Sequence, residues 1–242
     1  MIARPQRGTG LRGSSRVLRV PFWVMLTAAP LVLTLIAFSL CSAEAHPFSP
    51  GEKLTYVLKL RGLPVGEQVL EVGESPDIGE HKTLRLFSSV RSSKLVSVFH
   101  RIDDQIESYV DISTLMSLHT KIRFKEGGRV RSYDVTVDPK GKVTKFWNRQ
   151  TNRKWEQTVS LPVFDLVSLI YWLRTVEAPP GASLTARLID TGLTWGKVRG
   201  IEIKTSGIER VSSYAGGFSA RKYSETGEDS KISVWISEGK ER

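Results

Sequence analysis

Leu54-Thr55-Tyr56-Val57-Leu58-Lys59-Leu60-Arg61 alternates with period two. Leu54, Tyr56, Leu58 and Leu60 fall on one face, and Thr55, Lys59 and Arg61 on the other, which is the pattern of a half-buried β-strand. The run ends at Gly62-Leu63-Pro64, and a second run, Gln68 to Val72, follows Gly66, so the pair reads as a hairpin. The same pattern continues through Leu84–Val90, Ile106–Val110, Ser117–Phe124, Val130–Val137 and Val143–Trp147. Glu126-Gly127-Gly128 and Asp138-Pro139-Lys140-Gly141 separate the later runs; glycine supplies positive φ there and proline presets the first turn dihedral. Beyond residue 182 come Leu184–Ile189, Val198–Thr205, Ile208–Ser213, Phe218–Tyr223 and Ile232–Ile236. Short strands joined by short turns predict a mainly β protein: an antiparallel open or partly closed β-barrel.

One segment departs from the period. Leu166, Leu169, Ile170 and Leu173 recur at i, i+3, i+4 and i+7, the face of a helix, with Asp165 as N-cap and Ala178-Pro179-Pro180-Gly181 closing the run. Val167, Tyr171 and Trp172 cover the rest of the cylinder, so the helix is expected to be buried, with the barrel curled around this one α-helix. Ser93 to Phe99 is a weaker candidate for a second, short helix.

The N-terminal 45 residues have a different character. Arg4, Arg7, Arg12, Arg16 and Arg19 precede an uncharged run from Phe22 to Leu40, and Ala43-Glu44-Ala45 supplies a small-x-small cleavage site. That order predicts a signal peptide over 1–45, export to the periplasm, and a single β-rich domain over 46–242. An uncleaved inner-membrane anchor is the alternative, since the run approaches spanning length. Lipidation at Cys41 is disfavoured because Leu40 precedes it where a small residue is needed.

The 242-residue chain has 35 Lys and Arg against 25 Asp and Glu, a net charge of +10, and a single cysteine. Without the first 45 residues the count is 30 against 24, and the cysteine is gone, which removes thiol catalysis and thiolate-bound zinc. Lys121 to Lys154 holds eleven basic residues and three acidic ones, so the rest of that chain is slightly acidic. Lys121, Arg123 and Lys125 alternate with Ile122 and Phe124 and share one strand face; with Arg129 and Arg131 they form a candidate surface for an anionic membrane or an acidic envelope protein. A solvated face that blunts edge pairing is the plainer reading. Export separates the protein from nucleic acid.

Catalytic chemistry is thinly represented. His46, His81, His100 and His119 lack metal-pair spacing, and the carboxylate pairs Asp103-Asp104 and Glu228-Asp229 would point to opposite strand faces. No catalytic set, metal site or cofactor is called for. The aromatic residues are more suggestive: Trp147, Trp155, Trp172, Trp195 and Trp235, with Phe164 and Tyr171 beside the helix. Phe164, Tyr171, Trp172 and Trp235 are candidates to line an apolar pocket for a lipid or other hydrophobic molecule, set against simple core packing.

Gly51-Glu52-Lys53-Leu54-Thr55-Tyr56, the Gly62…Gly66 turn, Asp104, Ser108, Asp165-x-x-Ser168-x-x-Tyr171-x-Leu173-Arg174 and Val234-Trp235-Ile236-Ser237 together resemble the exported bacterial domain-of-unknown-function family 3108 over about residues 48–238. The resemblance implies an envelope location and an open β-barrel around a helix, similar to the lipoprotein-localisation-factor fold, and implies no catalytic residues. In the family the tryptophan strand usually runs on into an acidic turn and one more strand, where this chain has Glu238-Gly239-Lys240-Glu241-Arg242; either that edge strand is missing or the chain is truncated, and an unpaired edge beside Ile232–Ile236 is expected.

Overall fold

The computed structural model describes residues 46–190, 196–213, 216–226 and 233–238. The leader, Trp195, the Glu228-Asp229 pair, Ile232 and the chain from 239 onward lie outside the described residues.

The strands form two sheets rather than one curled sheet. Sheet 1 is a meander of eight antiparallel strands in chain order: β1 (Lys53–Leu60), β2 (Leu63–Glu74), β3 (Thr83–Ser92), β4 (Asp103–Asp111), β5 (Ser117–Glu126), β6 (Arg129–Asp138), β7 (Val143–Asn148) and β8 (Arg153–Thr158). Strands β1 and β8 are its edges, so it does not close. Sheet 2 runs β13-β12-β11-β10-β9, from β13 (Ser233–Ser237), β12 (Gly216–Thr226), β11 (Lys197–Ser213), β10 (Ser183–Asp190) and the two-residue β9 (Val163–Phe164). Strand β9 pairs parallel to β10, and the other pairs are antiparallel. The two runs Val198–Thr205 and Ile208–Ser213 are one 17-residue strand with an irregularity between Thr205 and Ile208.

Two helices lie among the described residues: α1 (Lys94–Ser97), in the β3–β4 connection and within the weaker candidate Ser93–Phe99, and α2 (Leu166–Thr175), which links β9 to β10. Helix α2 starts on a capping box in which the Asp165 side chain accepts from Val167 and Ser168 N–H and the Ser168 hydroxyl accepts from Asp165 N–H. Its first residue, Leu166, is exposed, while Val167, Leu169, Tyr171 and Leu173 are buried. The helix shares a core with each sheet. Val167 and Tyr171 pack with Leu70, Val72, Leu84, Leu86 and Val110 of sheet 1. Leu169 and Leu173 pack with Leu188, Ile201, Ile203, Tyr223 and Ile236 of sheet 2. A third cluster, including Val135, Phe146, Val163, Ile189 and Val198, joins the sheets directly.

The face assigned to β1 needs correcting. Leu54 and Leu58 are half-buried, but Tyr56 and Leu60 are exposed, because an edge strand has a neighbour on one side only and its end runs past the core. Gly66 of β2 sits opposite Ser92, and a Cβ there would clash with the Arg91 carbonyl, so β2 and β3 approach closely only with glycine at this point. The meander also sorts the turns. The β1–β2, β3–β4, β5–β6 and β7–β8 connections leave one end of sheet 1, and the other three leave the opposite end.

Candidate functional site

A groove of about 500 Å³ lies against the second half of α2. Trp172 and Thr175 line it from the helix, Leu161 and Pro162 from the approach to β9, Ser113 to Met116 from the β4–β5 connection, and His46 from the start of the described chain. Phe164 supports Trp172 from behind, their rings 5.1 Å apart and tilted. Leu115, Met116, Leu161, Pro162 and Trp172 make a largely apolar wall, and Ser113, Thr114, Thr175 and His46 give it a polar edge.

The β4–β5 wall is set by one carboxylate. Asp111 Oδ1 accepts from the Ser113 N–H at 2.9 Å, the Thr114 N–H at 3.0 Å and both hydroxyls, while Oδ2 meets His81 Nδ1 at 2.6 Å. This turn holds Leu115 at φ 57°, in the left-handed region, with its side chain buried. Burial of Asp111 would raise its pKa, but the hydrogen bonds from Ser113, His81 and Thr114 outweigh it and bring the group down to about 2. A depressed folded-state pKa means stabilisation that is complete above the unfolded value near 4 and is lost as pH falls toward 2. Asp111→Asn should therefore remove about 2 kcal/mol of stability at neutral pH and flatten the loss between about pH 4 and pH 2. Urea midpoints of both proteins across that range check this; parallel curves would refute it.

The four candidate aromatic residues do not converge. Phe164 and Trp172 belong together at the groove. Tyr171 is fully buried in the sheet 1 core, its ring edge-on to Phe48 at 4.8 Å. Trp235 is exposed on β13, its indole N–H donating to Glu209 at 3.1 Å. Both placements follow from periods visible in the chain: adjacent helix residues are about 100° apart, and Trp235 alternates with inward-facing Ile236. Trp155 stacks on Phe146 and donates to the Gly196 carbonyl, whereas Trp147 lies under the Arg149 and Lys154 cations beside a second hollow of about 580 Å³ on sheet 1.

Lys121 and Arg123 are exposed on β5 and Lys125 is half-buried on the same strand. Acids interleave with them: Lys121 lies 3.9 Å from Glu107, and Arg131 pairs with Glu126 at 2.7 Å while stacking on Phe124. Arg129 is exposed at the β5–β6 turn.

Two buried polar clamps that the sequence reading did not single out as sites tie α2 to sheet 1. Asp165 Oδ2 accepts from Ser108, Ser117 and Thr120 hydroxyls, all fully buried, the latter two at 2.9 Å. Ser117 in turn accepts from the Asp165 N–H at 2.8 Å. At the other end of the helix Arg174 forks onto Glu52, Nη1 to Oε1 at 2.5 Å and Nη2 to Oε2 at 2.8 Å, with Tyr171 reaching Oε1 at 3.4 Å. Burial would lower the Arg174 pKa, but the Glu52 carboxylate more than offsets it and the guanidinium is held charged; burial, then Glu52, push the Tyr171 phenol upward. The signal was in the chain: Asp165-x-x-Ser168 is a capping box, and Arg174 lies nine residues on, at the end of the same helix.

The imidazoles stand apart from Asp104. Asp104 accepts from the Lys125 N–H at 2.9 Å, His119 faces Asp134 at 3.7 Å, and His100 lies against Gly127. Among the described residues, no group of three or more His, Cys, Asp or Glu side chains converges as a metal site would require. Nor is any described helix long and apolar enough to cross a membrane.

These features define a class, a mainly antiparallel two-sheet β protein with a groove against its principal helix. The chain belongs to the family described as protein of unknown function DUF3108, whose model matches residues 55–242. Among solved structures it is similar to a β-barrel-like protein of domain of unknown function DUF1849 from Brucella abortus, at 8% identity and a TM-score of 0.43, covering 71% of this chain and 76% of that one. It is also similar to a DUF1089 family protein from Pseudomonas aeruginosa, at 8% identity and a TM-score of 0.32, covering 80% and 87%. No curated protein matches the chain.

Proposed function

We propose that this is an exported, non-catalytic protein of the cell envelope that binds a lipid or similar hydrophobic molecule in the groove beside Trp172. The two sheets act as walls of an open barrel with α2 between them, and the basic β5–β6 region faces an anionic surface. Export rests on the arginine-rich flank, apolar run and Ala43-Glu44-Ala45 site. The observation that carries the binding reading is the groove itself: an apolar wall of Leu115, Met116, Leu161, Pro162 and Trp172 with a polar edge, the build of a site for an acyl or comparable chain. Trp172 contacts the ligand and Phe164 fixes its ring.

Native mass spectrometry of residues 46–242 after gentle extraction tests this. The expected result is a bound species of lipid mass, with occupancy reduced about tenfold by Trp172→Ala, a loss of roughly 1.4 kcal/mol. Repeated recovery of empty protein would sink the proposal. One observation favours an adaptor role instead: β13 is an edge strand among the described residues and carries the exposed Trp235, a template for strand addition by a protein partner. Cross-linking that returns one stoichiometric protein and no lipid would favour that reading.

A further inference from the structure

One end of sheet 1 carries an apolar tip that the groove does not use. Phe99 is 86% exposed, Leu95 77%, Val98 76%, Leu63 70% and Leu60 65%. They come from two places that the meander brings together, the strand ends flanking the β1–β2 turn and the α1 segment, and the Ser93 N–H bonds the carbonyl of Val65, near the start of β2, at 2.8 Å. The α1 segment is held in shape: Ser92 and Ser97 hydroxyls bond at 2.7 Å, the Ile102 N–H donates to Ser92 Oγ at 3.0 Å, and the His100 N–H donates to Val96 O at 2.8 Å. The β5–β6 turn closes against the same segment through the Gly127 N–H and the Arg101 carbonyl at 2.9 Å. The apolar side chains are thus held outward by a bonded frame.

Charge is distributed to match. The segments at this end, 59–63, 91–104, 126–129 and 148–153, contain eight Lys and Arg and three acids, Asp103, Asp104 and Glu126, with Asp103 facing Arg91 at 3.5 Å. Those at the opposite end, 74–82, 111–117 and 138–143, contain five acids and three Lys. The sheet therefore has a basic end and an acidic end, and its exposed apolar residues sit on the basic one.

We propose that this tip docks on an anionic phospholipid bilayer, with Leu60, Leu63, Leu95, Val98 and Phe99 entering the headgroup–acyl boundary and Arg61, Lys94, Arg101 and Arg129 engaging the phosphates around them. A bilayer presents an apolar layer beneath an anionic one, and the tip presents the complementary order; cations close to such a surface and apolar area beneath it reinforce each other. The idea rests on the envelope reading above for where the bilayer is met, and it is independent of the groove.

Residues 46–242 hold all three cores and form one compact unit, and they contain no cysteine, so a single introduced thiol can be labelled. An environment-sensitive fluorophore at Phe99→Cys should brighten and shift blue with phosphatidylglycerol-containing vesicles, and the same label at Asp77→Cys, on the opposite end, should not. Sedimentation of the unlabelled protein should show binding to those vesicles, weakened by high salt and by pure phosphatidylcholine. Val98→Ser/Phe99→Ser should cut it about tenfold, since both residues are too exposed to matter for folding. Trp172→Ala should leave vesicle binding intact, which separates this idea from the groove. A silent label at position 99, an equal response at 77, or undiminished binding by the double serine variant overturns the proposal, and the first of these with a protein recovered on the tip by cross-linking identifies a protein partner instead.

Discussion

Asp165→Ala is expected to lower stability by about 3–5 kcal/mol. Its carboxylate does two things at once. Oδ1 caps α2 through the Val167 and Ser168 N–H groups at 2.8 and 3.0 Å, and loss of such a cap costs about 1 kcal/mol. Oδ2 gathers Ser108, Ser117 and Thr120, whose hydroxyls are fully buried and would be left without that acceptor, at about 1–3 kcal/mol for each donor that finds no replacement. The expectation has an internal check. Adding Ser108→Ala and Thr120→Ala to Asp165→Ala should restore part of the loss, because removing both partners of a buried bond costs less than stranding one. Urea midpoints of the single, double and triple variants would measure this, and costs that simply add would contradict the clamp.

The Glu52–Arg174 pair should behave in the same way with charge in place of hydroxyls. Arg174→Met keeps much of the aliphatic stem against the Phe48 and Tyr171 rings, which the guanidinium now covers at 5.1 and 5.0 Å. It nevertheless leaves Glu52 a partly buried carboxylate without its bidentate partner, at about 3–5 kcal/mol. Glu52→Met should cost a similar amount. The double replacement should cost much less than the two together, since a well-packed apolar pair can substitute for a buried ion pair. A thermodynamic cycle with no coupling would show that the fork contributes only packing.

The chain discloses its architecture unevenly from element to element. The meander from β1 to β7 was legible because each strand carries period-two alternation between turn residues of known preference. Helix α2 and its cap were legible for the corresponding reason. The partition into two sheets was not. Alternation reports which residues face inward, not which strands share hydrogen bonds, and the pairing that anchors sheet 2 runs through Val163–Phe164, too short to show a period. Strand β8, Arg153-Lys154-Trp155-Glu156-Gln157-Thr158, escaped because Trp155 is its only large apolar residue. At the groove, Phe164 and Trp172 could be found as large rings beside a helix, while Leu115 and Met116 could not, since a loop 50 residues upstream reaches that wall only through tertiary contact. The apolar tip hid in plain sight. Leu60 reads as an ordinary strand residue and Leu63 as part of the turn that ends the strand, and only their position beyond the core reveals that nothing covers them among the described residues.

The separation of the clamp partners along the chain bears on how the protein is assembled. Sheet 1 pairs consecutive strands through short connections, so its contacts are local and should form early. Glu52 and Arg174 are 122 residues apart, and Ser108 and Asp165 are 57 apart. Until α2 has emerged and docked, the meander stands as a one-sided layer with Leu70, Val72, Leu84, Leu86 and Val110 facing water. A nascent chain arrested before residue 166 is therefore a sticky intermediate rather than a smaller version of the protein, and a holdase that shields a bare sheet during this interval is the assistance its folding would call for.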